Sequence, residues 1–261
     1  MPKLGEAGRG APVPGVLDET ERLDVQRRFG VDSEQVARDH VISHALAAIA
    51  RVATDDVIFF GGTALSRTHL ADLRLSEDID LIARGDRREI GYRIESEIAR
   101  QLQRTFGAVT FTPRIRETRH PAPSVMQVGG VRVQIQLLSS DGYPAWPTEL
   151  VEIEQRYSDA PPAELRVLTG AGFAASKLSA WSDRQTPRDL YDLGDERDRD
   201  ARSRRCGAVR TRGDVHQCSE KYRSRPFLPT PSGMPLWGIR ASSESIRGTL
   251  PARFRRRLPP P

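Results

Sequence analysis

Val57-Ile58-Phe59-Phe60-Gly61-Gly62-Thr63-Ala64-Leu65, followed after a short gap by Arg74-Leu75-Ser76-Glu77-Asp78-Ile79-Asp80-Leu81-Ile82, decides how the rest of the chain is read. The first four residues are apolar and β-prone and stop at a glycine pair, which predicts a buried strand closing in a tight turn. From Thr63 to Leu70 the residues Ala64, Leu65 and Thr68 fall at helical spacing. A strand, a glycine turn and a helix start leave backbone N–H groups pointing outward, an arrangement that suits a phosphate.

The second segment supplies the opposite charge. In a strand running from Asp78 to Ile82, Asp78 and Asp80 face one way while Ile79 and Leu81 face the core. Two carboxylates on one face repel unless cations sit between them. A pair of divalent ions roughly 3.5–4 Å apart is the usual solution where a triphosphate is held and an attacking oxygen activated. Magnesium suits such a site because it takes oxygen ligands and keeps substrate phosphates in its shell. Each half is ordinary alone: Gly-Gly-Thr is usually a turn, and Asp-x-Asp a solvated strand end. In this order, separated by a helix-length gap and flanked by Ile and Leu, they form a specific pattern.

The pattern resembles the nucleotidyltransferase superfamily. More closely, Gly61-Gly62-Thr63-Ala64-Leu65 with Arg74-Leu75-Ser76-Glu77-Asp78-Ile79-Asp80-Leu81 is similar to the AbiEii/AbiGii type of abortive-infection toxin. A downstream block adds to the likeness: Lys177-Leu178, Arg184, then Arg188-Asp189-Leu190-Tyr191-Asp192. The resemblance covers roughly residues 20 to 193. It implies a catalytic set of Asp78, Asp80, Lys177 and Asp189. It also implies a triphosphate seat from Gly61, Gly62, Thr63, Ser76, Lys177 and Arg184, with Asp78 and Asp80 as ligands of two Mg²⁺. The implied substrate is an NTP, and the implied acceptor is RNA, in particular the 3′ end of a tRNA. The implied partner is a separately encoded antitoxin. Two departures stand out. Many relatives carry lysine where Phe60 stands, and a third carboxylate is expected on a strand where Gln134 and Gln136 stand here.

The chain has 261 residues, 38% of them hydrophobic, enough for a core. No run approaches the ~20 apolar residues of a membrane span. Residues 1–16 are rich in Gly and Pro, lack the apolar centre of a signal peptide, and are expected to form a disordered arm on a cytoplasmic protein. Cys206 and Cys218 have no Cys-x-x-Cys partners, which argues against a cysteine zinc site and against a disulfide framework. Asp32-Ser33-Glu34-Gln35 predicts a helix start with a capping box, and apolar residues recur at helical spacing up to Val52. His40 and His44 lie four apart on that helix and could share a metal. Nothing nearby in the sequence completes a ligand set, so no metal is expected there.

Ile90, Ile94, Ile98, Leu102 and Phe106 mark an amphipathic helix. Strand-like runs follow at 108–116, 124–128 and 131–138, with Gly129-Gly130 as a hairpin signal. Residues 170–181 predict a helix with Ala171, Ala174, Ala175, Leu178 and Trp181 on one face and Lys177 beside it.

From residue 194 the chain changes character. Residues 195–261 carry 16 Lys+Arg against 7 Asp+Glu, so the basic balance of the whole chain resides there and the rest is net acidic. A basic tail can bind RNA through phosphates. The abrupt change inside a helical pattern, into a stretch rich in Arg, Pro, Gly and Ser, favours instead translation in a shifted frame of a GC-rich gene.

The expected fold is α/β (α+β), a small mixed sheet flanked by helices, with an incomplete helical C-terminal part. The expected organisation is an arm over 1–16, a nucleotidyltransferase core over 17–160, a helical segment over 161–193, and a basic low-order tail over 194–261. The competing functional readings are a small-molecule or protein nucleotidyltransferase, and a decayed nucleotide-binding protein without turnover.

Overall fold

The computed structural model describes residues 13–184, apart from Leu73 and Gly142. These residues form five α-helices and a seven-stranded sheet. Helix α1 (Glu19–Phe29) starts on Asp18, whose carboxylate accepts the N–H groups of Thr20 and Glu21. It ends on Gly30 at φ +65°, a left-handed cap that favours glycine. Helix α2 (Ser33–Ala53) starts on Asp32, which accepts the Gln35 N–H at 2.8 Å. The Asp32 half of the expected capping box forms, and the Gln35 side chain is turned to Glu77, to which its Nε2 donates at 2.6 Å.

The core lies between α2 and α4 (Arg87–Phe106) and one face of the sheet. Ile90, Ile94, Ile98 and Leu102 form the buried stripe that the four-residue repeat predicts. Ala45, Ala47 and Ala48 of α2 are buried as well.

The strands are β1 (Val57–Phe60), β2 (Asp78–Ala83), β3 (Val109–Thr112), β4 (Ser124–Val128), β5 (Val131–Ser139), β6 (Thr148–Glu152) and β7 (Glu164–Leu168). Their order is β3-β4-β5-β2-β1-β7-β6. The sheet is mixed: β1 runs antiparallel to β2 and parallel to β7, and β2 runs parallel to β5. Gly129 and Gly130, both at positive φ, make the predicted two-residue hairpin between Val128 and Val131. Of the run 108–116, only Val109–Thr112 pairs as a strand; Ile115–Glu117 turns into a short 3₁₀ helix. β7, inside the segment expected to be helical, pairs with β1 in the middle of the sheet. The arm expected over 1–16 is held at its end, where the Gly15 N–H donates to Asp159 at 2.8 Å.

These directions bring several chain ends to one place. β1 and β7 both finish at the same end of the sheet, and β2 and β5 both begin there. The Gly61-Gly62 turn, Asp78, Gln134 and the start of α5 (Gly170–Arg184) therefore share that end.

Beneath it lies a buried ionic knot. Asp39 of α2 accepts Arg67 Nη2 at 2.7 Å, Arg156 Nη1 at 3.0 Å and the Tyr157 hydroxyl at 3.0 Å. Arg67 closes α3 (Gly61–Arg67) and is only 1% exposed. Burial by itself raises the Asp39 carboxyl, but Arg67, Arg156 and the Tyr157 hydroxyl overrule it and hold it below the ordinary carboxylate range. The folded value thus lies under the unfolded one near ~3.9. The stabilisation is complete above that pH and is lost as pH falls through the depressed folded value. Asp39→Asn leaves two buried guanidinium groups without their counter-charge. It should lower stability by about 3–5 kcal/mol, read as a shifted urea midpoint at neutral pH; a shift worth under ~1 kcal/mol would contradict the knot.

Candidate active site

The site is built where β1 ends. Phe60 pairs with Asp80 across the antiparallel ladder, so the turn begins directly opposite that carboxylate. Gly61 stands at φ +81°, and a Cβ there would lie 2.2 Å from Asp80 Oδ2. Conformation and space both demand glycine at this position. A Cβ on Gly62 would meet Ser76 Oγ at 2.9 Å, with Arg74 Nη2 at 3.6 Å. The structure therefore gathers Gly61, Gly62, Arg74, Ser76 and Asp80 into one contact group.

Thr63, expected in the triphosphate seat, has its side chain turned into the fold. It is 1% exposed, and its hydroxyl donates to the backbone carbonyl of Asp78. It ties α3 to the start of β2. Phe60, where many relatives carry lysine, packs against the apolar core.

Along β2 the expected alternation holds from Asp78 to Leu81 and ends at Ile82, which is buried. Ile79 and Leu81 are fully buried, Asp78 is exposed and Asp80 half-buried, so both carboxylates belong to the outer face. The parallel neighbour β5 sets Gln134 beside Asp78 and Gln136 beside Asp80. Gln136 donates its amide to the Pro121 carbonyl. The positions flanking the two carboxylates on this side thus carry neutral amides.

A cavity of about 250 Å³ opens beside Asp78, lined by Arg38, Glu77, Asp78, Val125, Arg132 and Gln134. Glu77 is engaged by Arg38 and Gln35, which moor the loop before β2 to α2. Arg132 lines the cavity from the same face as Gln134. Sequence reasoning passed over Arg132, although its two-residue offset from Gln134 was the signal that would have placed it there.

Lys177 lies on α5 and is 8% exposed. The helix's apolar face differs from the expected one. Phe173 is fully buried and Lys177 follows it one turn on, whereas Ala171 and Ala175 are exposed and Leu178 is 49% exposed. The bulky ring decides the orientation: Phe173 packs edge-on to His69, with centroids 5.2 Å apart, and alanines carry too little surface to compete. The α5 start is also pinned, since a Cβ on Gly172 would lie 3.0 Å from the Pro147 carbonyl. Arg184 closes α5; its side chain, and all of Asp189 and Asp192, lie outside the described residues.

His40 and His44 are not the isolated pair that the sequence suggested. Both Nε2 atoms reach the Asp159 carboxylate, 115 or more residues away, at 2.9–3.0 Å. Burial pushes the His44 imidazole below its usual range, against the pull of Asp159. No local signal in the sequence points to Asp159, which sits in the connection between β6 and β7.

A glycine turn packed on an Asp-x-Asp strand, at one end of a mixed sheet, is the arrangement expected of a nucleotidyl transferase. The model of the nucleotidyl transferase AbiEii toxin family, of type IV toxin–antitoxin systems, matches residues 44–205, and the chain belongs to that family. No curated protein matches the sequence. Among solved structures, ANT(2″)-Ia in complex with adenylyl-2″-tobramycin is similar at 15% identity and a TM-score of 0.38, over 60% of this chain and 86% of that one. An antigenic nucleotidyltransferase-like protein from Paracoccidioides brasiliensis is similar at 15% identity and a TM-score of 0.38, over 59% of this chain and 74% of that one. No helix among the described residues is long and apolar enough to cross a membrane.

The closest approach in the site supplies a test. Gly61→Ala forces a Cβ into a left-handed position and against Asp80. The strain alone is worth about 1–2 kcal/mol, and relief requires the carboxylate to move. Stability should fall by that amount and nucleotide transfer should fall steeply, both measured on the purified variant. An alanine variant with full transfer would refute the contact.

Proposed function

We propose that this chain is a toxin that moves a nucleoside monophosphate from an NTP to an acceptor hydroxyl on RNA, the 3′ end of a tRNA being the expected acceptor. The observation that carries the reading is the contact group itself: Asp80 laid over Gly61, Ser76 over Gly62, and Asp78 two residues along the same strand face.

Asp78 and Asp80 offer hard oxygen donors on one accessible face, which fits Mg²⁺. Two ions are the number proposed. When bound, magnesium would neutralise phosphate charge and lower the pKa of the acceptor hydroxyl. Gln134 and Gln136 take the place of a further carboxylate, so the two aspartates carry the anionic charge from this part of the sheet. The backbone of Gly61 and Gly62 with Ser76 seats the triphosphate. Lys177 serves it as a point charge, and Arg184 is the proposed second cation. Thr63 positions Asp78 through its carbonyl. Asp189, by family likeness, completes or orders the acidic group.

The proposed setting is the cytoplasm, where NTP and tRNA are both present, and the proposed partner is a cognate antitoxin.

Incubation with each labelled NTP and total RNA tests the reading. The wild-type chain should label RNA, and Asp78→Asn and Asp80→Asn should each abolish labelling while circular dichroism is unchanged. Label transfer surviving in both variants would sink the proposal. Lys177→Ala should weaken NTP binding or turnover about tenfold or more, the equivalent of ~1.5–3 kcal/mol for a hydrogen bond to a charged group. Lys221→Ala should leave both unchanged. Equal effects of the two would remove Lys177 from the site.

A further inference from the structure

We propose that His40, His44 and Asp159 form a second metal site, separate from the carboxylates of β2, that takes one divalent transition ion of zinc's chemistry. The three ligand atoms converge: His40 Nε2 is 2.9 and 3.0 Å from the two Asp159 oxygens, His44 Nε2 is 3.0 Å from Oδ2, and all three lie within 4.8 Å of one another. Around a tetrahedral zinc with bonds of ~2.0–2.1 Å, neighbouring ligand atoms stand ~3.3 Å apart. To admit the ion, the His–Asp distances must widen by about a few tenths of an ångström and the widest pair must close toward ~3.3 Å.

The donor set is selective. Two imidazoles and one carboxylate suit zinc and its first-row neighbours, whereas magnesium and calcium prefer oxygen alone. The spacing is supportive too. His40 and His44 stand one turn apart on a rigid, buried stretch of α2, so both rings leave the same face together. Their ring centroids lie 4.9 Å apart.

The surroundings resemble the outer layer of a structural metal site. The Gly15 N–H donates to Asp159 Oδ2 at 2.8 Å, fixing the carboxylate from outside. Phe106 packs edge-on against both imidazoles, and Tyr157 against His40. Side-chain exposures of 4%, 7% and 3% for His40, His44 and Asp159 keep bulk water from competing. The ion's task is to clip together three distant pieces of chain: α2, the connection between β6 and β7, and the segment at Gly15. Three protein ligands leave the fourth tetrahedral position to a water, and ligands this buried keep a substrate from it.

The test uses the full chain, stripped with a chelator and titrated with zinc alone. One equivalent of zinc should bind and raise the melting temperature by roughly 5–10 °C at a hundredfold excess over the dissociation constant. His44→Gln and Asp159→Asn should each lose that equivalent and the shift. Cobalt gives a readout that needs no variant: wild-type chain should show the visible d–d bands of a tetrahedral nitrogen–oxygen site, displaced by zinc. A folded wild-type chain with neither a thermal shift nor cobalt bands would overturn the site. The same zinc equivalent retained by Asp159→Asn would overturn it as well, since the ion would then sit elsewhere.

Discussion

The arrangement at the active end depends on a buried arginine. Arg67 ends the seven-residue helix that begins at Gly61, and a helix that short does not hold itself in place. Its guanidinium is gripped by Asp39 on α2 and by the Glu154 carbonyl. Its own backbone carbonyl accepts the Glu154 N–H at 2.8 Å. Arg156 reinforces the same carboxylate and reaches the Ser66 carbonyl at 2.7 Å. The far end of α3 is thus fixed to the core helix and to the strand connection after β6. With that end anchored, the glycines at the near end stay against β2.

What the anchor secures is a contact with no slack. Asp80 occupies the space that any side chain at position 61 would need, and Ser76 the space beside position 62. The site is therefore a backbone surface with one carboxylate and one hydroxyl laid over it. The amides at Gln134 and Gln136 bear on its electrostatics. The neutral neighbours on β5 add no further negative charge beside the two carboxylates.

The parts legible in the sequence were those encoded locally. The strand at 57–60, the Asp-x-Asp strand, the Gly129-Gly130 hairpin and the isoleucine stripe of α4 each announce themselves within a dozen residues. β6 and β7 were not read. β6 is an edge strand with little burial, and β7 interrupts its apolar run with Arg166. The orientation of α5 was misjudged because several alanines suggested a face that one phenylalanine overrules. Asp159 could not be read at all: its partners are more than a hundred residues away, and only the return of the chain after β6 brings them together. The family resemblance puts Gln134 and Gln136 on the strand beside the aspartates, and the ladder pairs them with Asp78 and Asp80.

The sheet order carries a consequence for the sequence of assembly. β1, α3 and β2 are one contiguous stretch, Val57–Ala83, so the glycine turn and both aspartates meet by closing a short loop. β7 joins β1 only after about a hundred intervening residues have been threaded, and α5 with Lys177 arrives behind it. Loop-closure entropy favours the short contact first. On a growing chain, the glycine turn and the two aspartates take shape while β7 and the helix behind it are still unmade.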